Sequence, residues 1–199
     1  KSLEGAGEVE EVIRTQGDVY PTDVSPDGSQ LMAFGPVEGA GTDLFVVALD
    51  GSADLQQWRP TEYNEGVGAF SPDGRWVVYH SNESGALEVY VAPFPGPGRR
   101  WQVSTDGGVY PLWRADGEEI IYQRFDGTIT ASAVRAEDDS FFIDGEEQLF
   151  AIGPPQIGGP HFSVSGDAQR FLVVPPTTQR ADSLLHLLVN WPTALEARR

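Results

Sequence analysis

The chain offers few side chains that could perform acid–base or nucleophilic chemistry. Its three histidines are His80, His161 and His186, and none has a second histidine or a cysteine at the spacing of a zinc site. A Ser-His-Asp triad needs its serine on a strained turn, and the sequence contains no Gly-x-Ser-x-Gly. We therefore expect neither a catalytic centre nor a bound metal or cofactor. We interpret His80 and His186 as packing or strand-end residues.

Four aspartates occupy the same place in a recurring short sequence. The tetrapeptides are Ser25-Pro26-Asp27-Gly28, Ser71-Pro72-Asp73-Gly74, Arg114-Ala115-Asp116-Gly117 and Ser165-Gly166-Asp167-Ala168. A calcium loop gathers several oxygen ligands within about a dozen residues, whereas each tetrapeptide offers one aspartate. Proline, aspartate and glycine in this order are typical of a turn, because proline fixes φ, aspartate binds backbone amides and glycine permits positive φ. We interpret Asp27, Gly28, Asp73, Gly74, Asp116, Gly117 and Asp167 as structural turn residues.

The turns recur at a period that indicates the fold class. Their aspartates are 46, 43 and 51 residues apart, which is close to the repeat of propellers with four-stranded blades. The segments that follow the turns are predicted strands at 30–34, 75–80, 119–123 and 170–174. A further strand comes after each of these, at 43–49, 88–94, 128–134 and 183–191. An inner strand precedes each turn, at 20–24, 66–70, 110–113 and 161–164.

The outer strands are predicted at 54–58, 100–104 and 146–151, so the fourth repeat lacks one. The N-terminal segment 10–15 supplies a strand that could complete this repeat and remove an exposed sheet edge. The sequence therefore predicts an all-β fold, a small β-propeller of four four-stranded blades with the last blade completed by an N-terminal strand. The expected blades are 19–60, 63–105, 108–151 and 160–191, together with strand 10–15, in a single domain.

Alignment of the inner strands identifies candidate ligand-binding positions. Val67, Tyr110 and His161 fall at equivalent places, with Tyr20 nearby. These residues should lie near the mouth of the central channel, where packing and ligand binding are the two alternatives. The tryptophans Trp58, Trp76, Trp101, Trp113 and Trp191 are interpreted mainly as core between blades. Asn82 begins an Asn-Glu-Ser glycosylation acceptor sequence on an expected turn.

Composition excludes several classes of partner. The formal net charge is −17, and this charge repels both nucleic acid and anionic membrane surfaces. The sequence has no apolar run long enough to cross a membrane, so direct membrane insertion is not expected. Cysteine is absent, so disulfides cannot contribute to the fold.

The Ser-Pro-Asp-Gly turn followed by an aromatic and aliphatic strand resembles the repeats of TolB-type bacterial propellers. More specifically, the run 71–113 and the closing sequence 187–191 resemble the propellers at the C-terminus of bacterial membrane-anchored serine/threonine kinases. The resemblance implies a sensor or protein-binding region outside the cytoplasm, periplasmic or extracellular. It does not imply kinase activity, because the glycine-rich loop and the His-Arg-Asp and Asp-Phe-Gly motifs are absent. Propellers of this family commonly have six or more blades, whereas four repeats are present here.

Two functions follow from these observations. In the first, the chain is a non-catalytic interaction module that binds other proteins, including copies of itself, and assembles into oligomers or filaments by exchange of its terminal strand 10–15. In the second, it is the extracytoplasmic sensor domain of a receptor kinase and binds a small ligand in its channel. An enzyme is the third and least expected alternative, because fold alone does not determine function.

Overall fold

The computed structural model describes residues 11–15, 17–39, 41–52, 54–96, 98–155, 159–174 and 186–189. Within these ranges the regular secondary structure consists entirely of β-strands, arranged in four antiparallel sheets. The structure therefore confirms the all-β prediction. Each sheet is a meander in which strands that are consecutive in the chain are hydrogen-bonded neighbours, as in a propeller blade.

Blade 1 contains β1 (Tyr20–Val24), β2 (Gln30–Val37), β3 (Gly41–Ala48) and β4 (Leu55–Gln57). Blade 2 contains β5 (Glu65–Phe70), β6 (Trp76–Ser81), β7 (Glu88–Pro93) and β8 (Trp101–Gln102). Blade 3 contains β9 (Val109–Trp113), β10 (Glu119–Gln123), β11 (Thr128–Glu137) and β12 (Ser140–Ala151). Blade 4, as described, contains β13 (Phe162–Val164), β14 (Arg170–Val173) and β15 (His186–Val189).

The tetrapeptides around the four aspartates form the turns between the first and second strands of each blade. In blade 1, Asp27 Oδ1 accepts hydrogen bonds from the Ser25 hydroxyl at 2.6 Å and from the Ser29 amide at 3.0 Å. These bonds lower the pKa of Asp27 to about 2. Gly28 has a φ of 72°, and φ is also positive at the equivalent residues Gly74, Gly117 and Ala168. The same aspartate-to-amide bond is formed by Asp73, Asp116 and Asp167.

Three hydrophobic clusters join the blades in sequence. Blades 1 and 2 share a cluster that includes Met32, Leu44, Trp58, Val77 and Tyr79. Blades 2 and 3 share Trp76, Val78, Val91, Ile120, Tyr122 and Phe141, with Trp101 and Trp113 packed against them. Blades 3 and 4 share Ile121, Ile129, Leu149, Phe162, Phe171 and Val173. Four described tryptophans therefore pack between blades, and Trp191 lies outside the described residues.

The four blades form an open arc in the part of the chain that the structure describes. A closed ring of four blades needs four junctions, and no hydrophobic cluster joins blade 4 to blade 1 among these residues. The turns show the same pattern. A Cβ added to Gly74 would lie 3.7 Å from Pro26 of the preceding blade, and one added to Gly117 would lie 3.7 Å from Pro72. Gly28 is the equivalent position in blade 1, and no atom of the described residues lies within 4 Å of a Cβ added there.

The N-terminal segment departs from the prediction. Residues 11–15 form no strand and pair with no sheet, so the predicted completion of blade 4 by strand 10–15 is not observed among them. Ile13 instead lines a cavity of about 530 Å³ together with Phe45 and Leu55 of blade 1. The segment also has short-range bonds of its own. Glu11 pairs with Arg14 at 2.8 Å, and the Thr15 hydroxyl donates to the carbonyl of residue 17 at 2.7 Å.

The predicted strand limits differ from the observed ones mainly at the outer edges. The outer strands of blades 1 and 2 are shorter than predicted, because the chain turns at Arg59, which has a φ of 61°, and because Trp101–Gln102 alone pairs with β7. The outer strand of blade 3 is longer than predicted, because β11 and β12 continue as one hairpin to the pair Glu137 and Ser140. The segment 183–191 is described only at His186–Val189.

Candidate functional site

The inner strands of blades 2 and 3 carry matching backbone irregularities at the predicted channel mouth. The pairing of β5 with β6 shifts between Gly66 and Ala69, and that of β10 with β9 shifts between Ile121 and Gln123. Val67 has a φ of 48° and Tyr110 a φ of 57°, at equivalent positions of the two blades. Positive φ is uncommon for a β-branched or bulky residue and is typical of positions that the surrounding structure constrains.

His80 packs between these two strained positions. The Tyr110 amide donates a hydrogen bond to His80 Nδ1 at 3.4 Å, and the two rings lie edge to face with centroids 5.9 Å apart. A Cβ at Gly66 would lie 2.8 Å from His80 Nε2, so glycine is required beside the ring. Burial lowers the pKa of His80 to about 4, which keeps the imidazole neutral and able to accept the bond at Nδ1 near neutral pH.

The other two predicted channel residues lie in different surroundings. Tyr20 is 52% exposed and stacks on Phe34 of its own blade, with ring centroids 5.3 Å apart. The carbonyl of His161 accepts a bond from the Val174 amide at 2.8 Å, and His161 Nε2 is buried with no hydrogen-bond partner among the described residues. The structure therefore brings together Val67, Tyr110 and His80, whereas Tyr20 remains at the solvent-exposed rim.

A second polar site, which was not predicted from the sequence, lies at the junction of blades 1 and 2. Asp43 at the start of β3 is 1% exposed, and Glu65 at the start of β5 is 6% exposed. Asp43 lies close enough to Glu65 for the two carboxyl groups to interact. Burial and the adjacent Asp43 raise the pKa of Glu65 to about 8. The two residues are far apart in sequence, and an isolated acid in a repeat protein usually indicates a solvated surface position.

The junction of blades 2 and 3 contains a buried carboxylate with ordinary partners. Glu88, at the start of β7, is 4% exposed. One of its oxygens accepts a bond from the Ser104 hydroxyl, and the other accepts one from the Gly107 amide at 2.9 Å. Glu88 is thus fully bonded to neutral donors, whereas Asp43 at the corresponding place in blade 1 faces a second acid.

An arginine-rich rim lies on the outer side of blade 2. Arg59 Nη2 donates to the Gly98 carbonyl at 3.0 Å, which brings Arg59 next to Arg99 and Arg100. The guanidinium of Arg59 lies 5.7 Å from the centre of the Trp58 ring, and that of Arg99 lies 5.6 Å from the centre of the Trp101 ring. Arg100 forms an ion pair with Glu83. These arrangements are typical cation–π and ion-pair contacts that fix the rim of a blade.

The outward face of blade 4 carries an exposed apolar side chain. Leu172 is 41% exposed, and it lines a shallow depression together with Ser163, Val164 and Arg170. The residues that alternate with these on β14, Phe171 and Val173, are buried against blade 3. The strand therefore has the alternation of a sheet with one covered face and one open face.

The remaining predicted positions have structural surroundings. The side-chain carbonyl of Asn82 accepts a hydrogen bond from the Asn64 amide at 2.8 Å, so this half-buried residue ties two loops together instead of projecting from an exposed turn. His186 lies in β15. Among the described residues, no group of three or more histidine, aspartate or glutamate side chains is arranged to hold a metal ion. No helix capable of spanning a membrane occurs in this part of the chain.

Comparison with known proteins places the fold. No family model matches the sequence. An uncharacterised protein of Agrobacterium fabrum is 23% identical over 150 residues, which cover 72% of this chain and 50% of that protein. TolB from Acinetobacter baumannii superposes with a TM-score of 0.62 at 16% identity, covering 87% of this chain and 41% of TolB.

The same fold is found in an enzyme. An oligogalacturonate lyase from Vibrio parahaemolyticus superposes with a TM-score of 0.59 at 13% identity, covering 92% of this chain and 53% of the lyase. The chain spans about half the length of the curated relative that it matches. Similarity at these identities shows the fold alone. The chain therefore has the β-propeller fold of TolB-like proteins.

Proposed function

We propose that the chain is a non-catalytic β-propeller module that binds other proteins through the open ends of its arc. The observation that supports this function is the number of junctions: four blades share three hydrophobic clusters in the described residues. Among the described residues, blades 2 and 3 each share hydrophobic clusters with two other blades, whereas blades 1 and 4 each share a cluster with one. A propeller blade has two faces to bury, so the end blades each offer a face to a partner.

Blade 4 is the better candidate for docking. The outward face of blade 1 is partly covered by the segment that includes Val19, because a Cβ at Gly35 would lie 2.9 Å from the Asp18 carbonyl and 3.1 Å from Val19. The face of blade 4 carries the exposed Leu172, and β15 has no further strand beside it among the described residues. An exposed strand edge next to an apolar face is the usual substrate of strand addition.

In its finer form, the proposal is that copies of the chain bind one another. Within one chain the segment 11–15 lies beside blade 1, where it forms no strand. The same segment of a second copy can add to blade 4 at β15 and form the ladder that is not made within the chain. An exchange of this head-to-tail kind gives rings if its rotation closes and filaments if it does not. The net charge of −17 opposes it at low salt.

The experiment compares the intact chain with a chain that lacks residues 1–16, by light scattering and electron microscopy from low to high salt. We expect the mass of the intact chain to rise with salt and the shortened chain to remain monomeric. A control chain with residues 10–15 in scrambled order keeps the charge and removes the strand pattern. Monomers for all three chains under every condition would exclude assembly through this strand.

One observation favours the second function, ligand sensing outside the cytoplasm. The strained Val67 and Tyr110, the neutral His80 and the unbonded Nε2 of His161 belong to the inner ends of three consecutive blades. A small polar ligand at this mouth would be bound by imidazole and backbone groups, and a location outside the cytoplasm is part of this proposal. Ligand-dependent thermal stabilisation in a screen of small metabolites, lost in Tyr110→Ala, would support this alternative.

A further inference from the structure

The carboxyl pair at the junction of blades 1 and 2 has more hydrogen-bond acceptors than donors. Asp43 Oδ2 accepts from Gln57 Nε2 at 2.6 Å. Glu65 Oε1 accepts from the Thr61 hydroxyl at 2.6 Å and from the Ser81 hydroxyl at 3.4 Å. Asp43 Oδ1 and Glu65 Oε2 are buried and receive no bond from any donor of the described residues. Each acid therefore has one satisfied oxygen and one that is not.

Among the described residues, no basic side chain forms an ion pair with either acid. Three charged side chains line the same small cavity as Glu65, namely Arg59, Glu83 and Arg100. Arg100 is paired with Glu83, and Arg59 donates through Nη2 to the Gly98 carbonyl. Arg59 Nη1 is buried without a hydrogen bond in the described residues, so it binds neither acid. The remaining titratable group on the cavity wall is the buried phenol of Tyr79, which carries no charge near neutral pH.

Two ionised carboxylates in contact and out of water would repel each other strongly, since both desolvation and like charge disfavour ionisation. A single shared proton removes one charge and supplies a donor to a pair that has unbonded acceptor oxygens. We propose that Asp43 and Glu65 share one proton and act as a pH-controlled joint between blades 1 and 2. The joint is closed while the proton is shared and is loosened when both groups are ionised.

The sign of the pH effect follows from the shift of Glu65. Its pKa is raised in the folded chain by burial and by Asp43, so the folded state holds a proton that the unfolded state has released. The stability that this proton contributes is complete below about pH 4.5, the ordinary pKa of the group. It declines as pH rises and is lost above the folded pKa of about 8. Alkaline pH therefore weakens the attachment of blade 1.

The test measures urea unfolding of the wild-type chain and of Glu65→Gln between about pH 5.5 and 8.5. The amide of Glu65→Gln can donate permanently to Asp43 Oδ1 and cannot ionise. Since each unit of pKa shift changes an equilibrium tenfold, we expect the unfolding constant of the wild type to rise about tenfold or more relative to that of Glu65→Gln across this range. Asp43→Asn should flatten the profile in the same way if it folds.

Glu88→Gln provides the matched control, because Glu88 is equally buried and lies at the corresponding junction but is bonded to neutral donors. We expect it to lose stability at every pH without changing the slope. Trp58 lines the same cavity as Glu65, so its fluorescence reports on the junction between blades 1 and 2. In the folded wild type, this fluorescence should change over the same pH range as the stability.

Two results would overturn the proposal. One is an equal pH slope for the wild type and Glu65→Gln, which would mean that the pair releases no proton in this range. The other is recovery of alkaline stability on addition of calcium chloride to the wild type but not to Glu65→Gln. That outcome would identify the pair as a cation site instead of a proton-sharing joint.

Discussion

At the scale of single residues, the imidazole of His80 in blade 2 takes the place of an aromatic ring in blade 1. His80 in blade 2 corresponds to Phe34 in blade 1, since each lies at the same distance in sequence after the aspartate of its turn. Phe34 stacks on Tyr20, and His80 packs on Tyr110. The Phe34 contact therefore lies within blade 1, whereas the His80 contact joins blade 2 to blade 3.

We predict that His80→Phe removes an acid-sensitive component of stability. Burial lowers the pKa of His80 to about 4 in the folded chain, so neutral His80 stabilises the fold above its ordinary pKa of 6.5. This contribution is lost as pH falls from about 6.5 through 4, because the unfolded chain takes up the proton first. Urea unfolding at a series of pH values should show a shallower acid decline for His80→Phe than for the wild type.

One result of comparing the wild-type and His80→Phe profiles would contradict this prediction. Carboxylates such as Asp27, whose pKa is lowered by hydrogen bonds from serine, also lose stability in acid and do so equally in both chains. The difference between the two profiles therefore isolates His80. Parallel profiles would show that His80 ionises freely in the folded chain.

Local sequence chemistry explains which residues could be predicted. The turn aspartates act within a few residues of themselves, as Asp73 does with the Arg75 amide at 3.1 Å, so their tetrapeptides contain the whole interaction. Asp43 and Glu65 meet only because β3 and β5 belong to adjacent blades. The local sequence around Asp43 or Glu65 does not indicate that the two acids are neighbours. The same holds for the contact between His80 and Tyr110.

At the scale of elements, hairpin turns set the limits of the strands in each blade. The turn between β10 and β11 is tightly packed against the end of β12. Gly127 has a φ of 92°, and a Cβ there would lie 2.3 Å from the backbone of Gly153. Its amide donates to the Arg124 carbonyl at 3.0 Å and closes the turn.

We predict that Gly127→Ala destabilises the chain by about 2 kcal/mol or more, because a left-handed backbone and a clash with backbone atoms act together. Gly145→Ala is the matched control. It lies in β12 of the same blade, has no positive φ and has nothing within 4 Å of the added Cβ. Thermal unfolding should separate the two variants, and equal melting temperatures would mean that β12 can move away from the turn at little cost.

The strand order and approximate strand positions followed from period and alternation, since each blade repeats the same turn and the same apolar runs. Period and alternation did not specify which segment completes blade 4. A strand pattern in 10–15 specifies that the segment can pair but not which edge it reaches. In the structure residues 11–15 form no strand, and Ile13 lines a cavity with Phe45 and Leu55 of blade 1.

At the scale of the whole molecule, three hydrophobic clusters join the four blades within the described ranges, and the face of blade 4 carries the exposed Leu172. The −17 charge keeps individual molecules apart, whereas the apolar face around Leu172 favours association once that charge is screened. These opposing effects make association dependent on salt. The four-repeat organisation was evident from the sequence. That blades 4 and 1 share no hydrophobic cluster in the described part of the chain was not, because ring closure depends on the geometry of all the blades.

The measurement that tests the central claim most directly is light scattering of the wild-type chain and of Leu172→Asp over a range of protein and salt concentrations. Leu49→Asp is the control, since Leu49 is similarly exposed, at 36%, but lies at the turn after β3 and away from the face of blade 4. We predict that the wild type and Leu49→Asp associate as salt is raised and that Leu172→Asp remains monomeric. Equal association of all three chains, or none by the wild type, would contradict the assignment of the blade 4 face as a protein-binding surface.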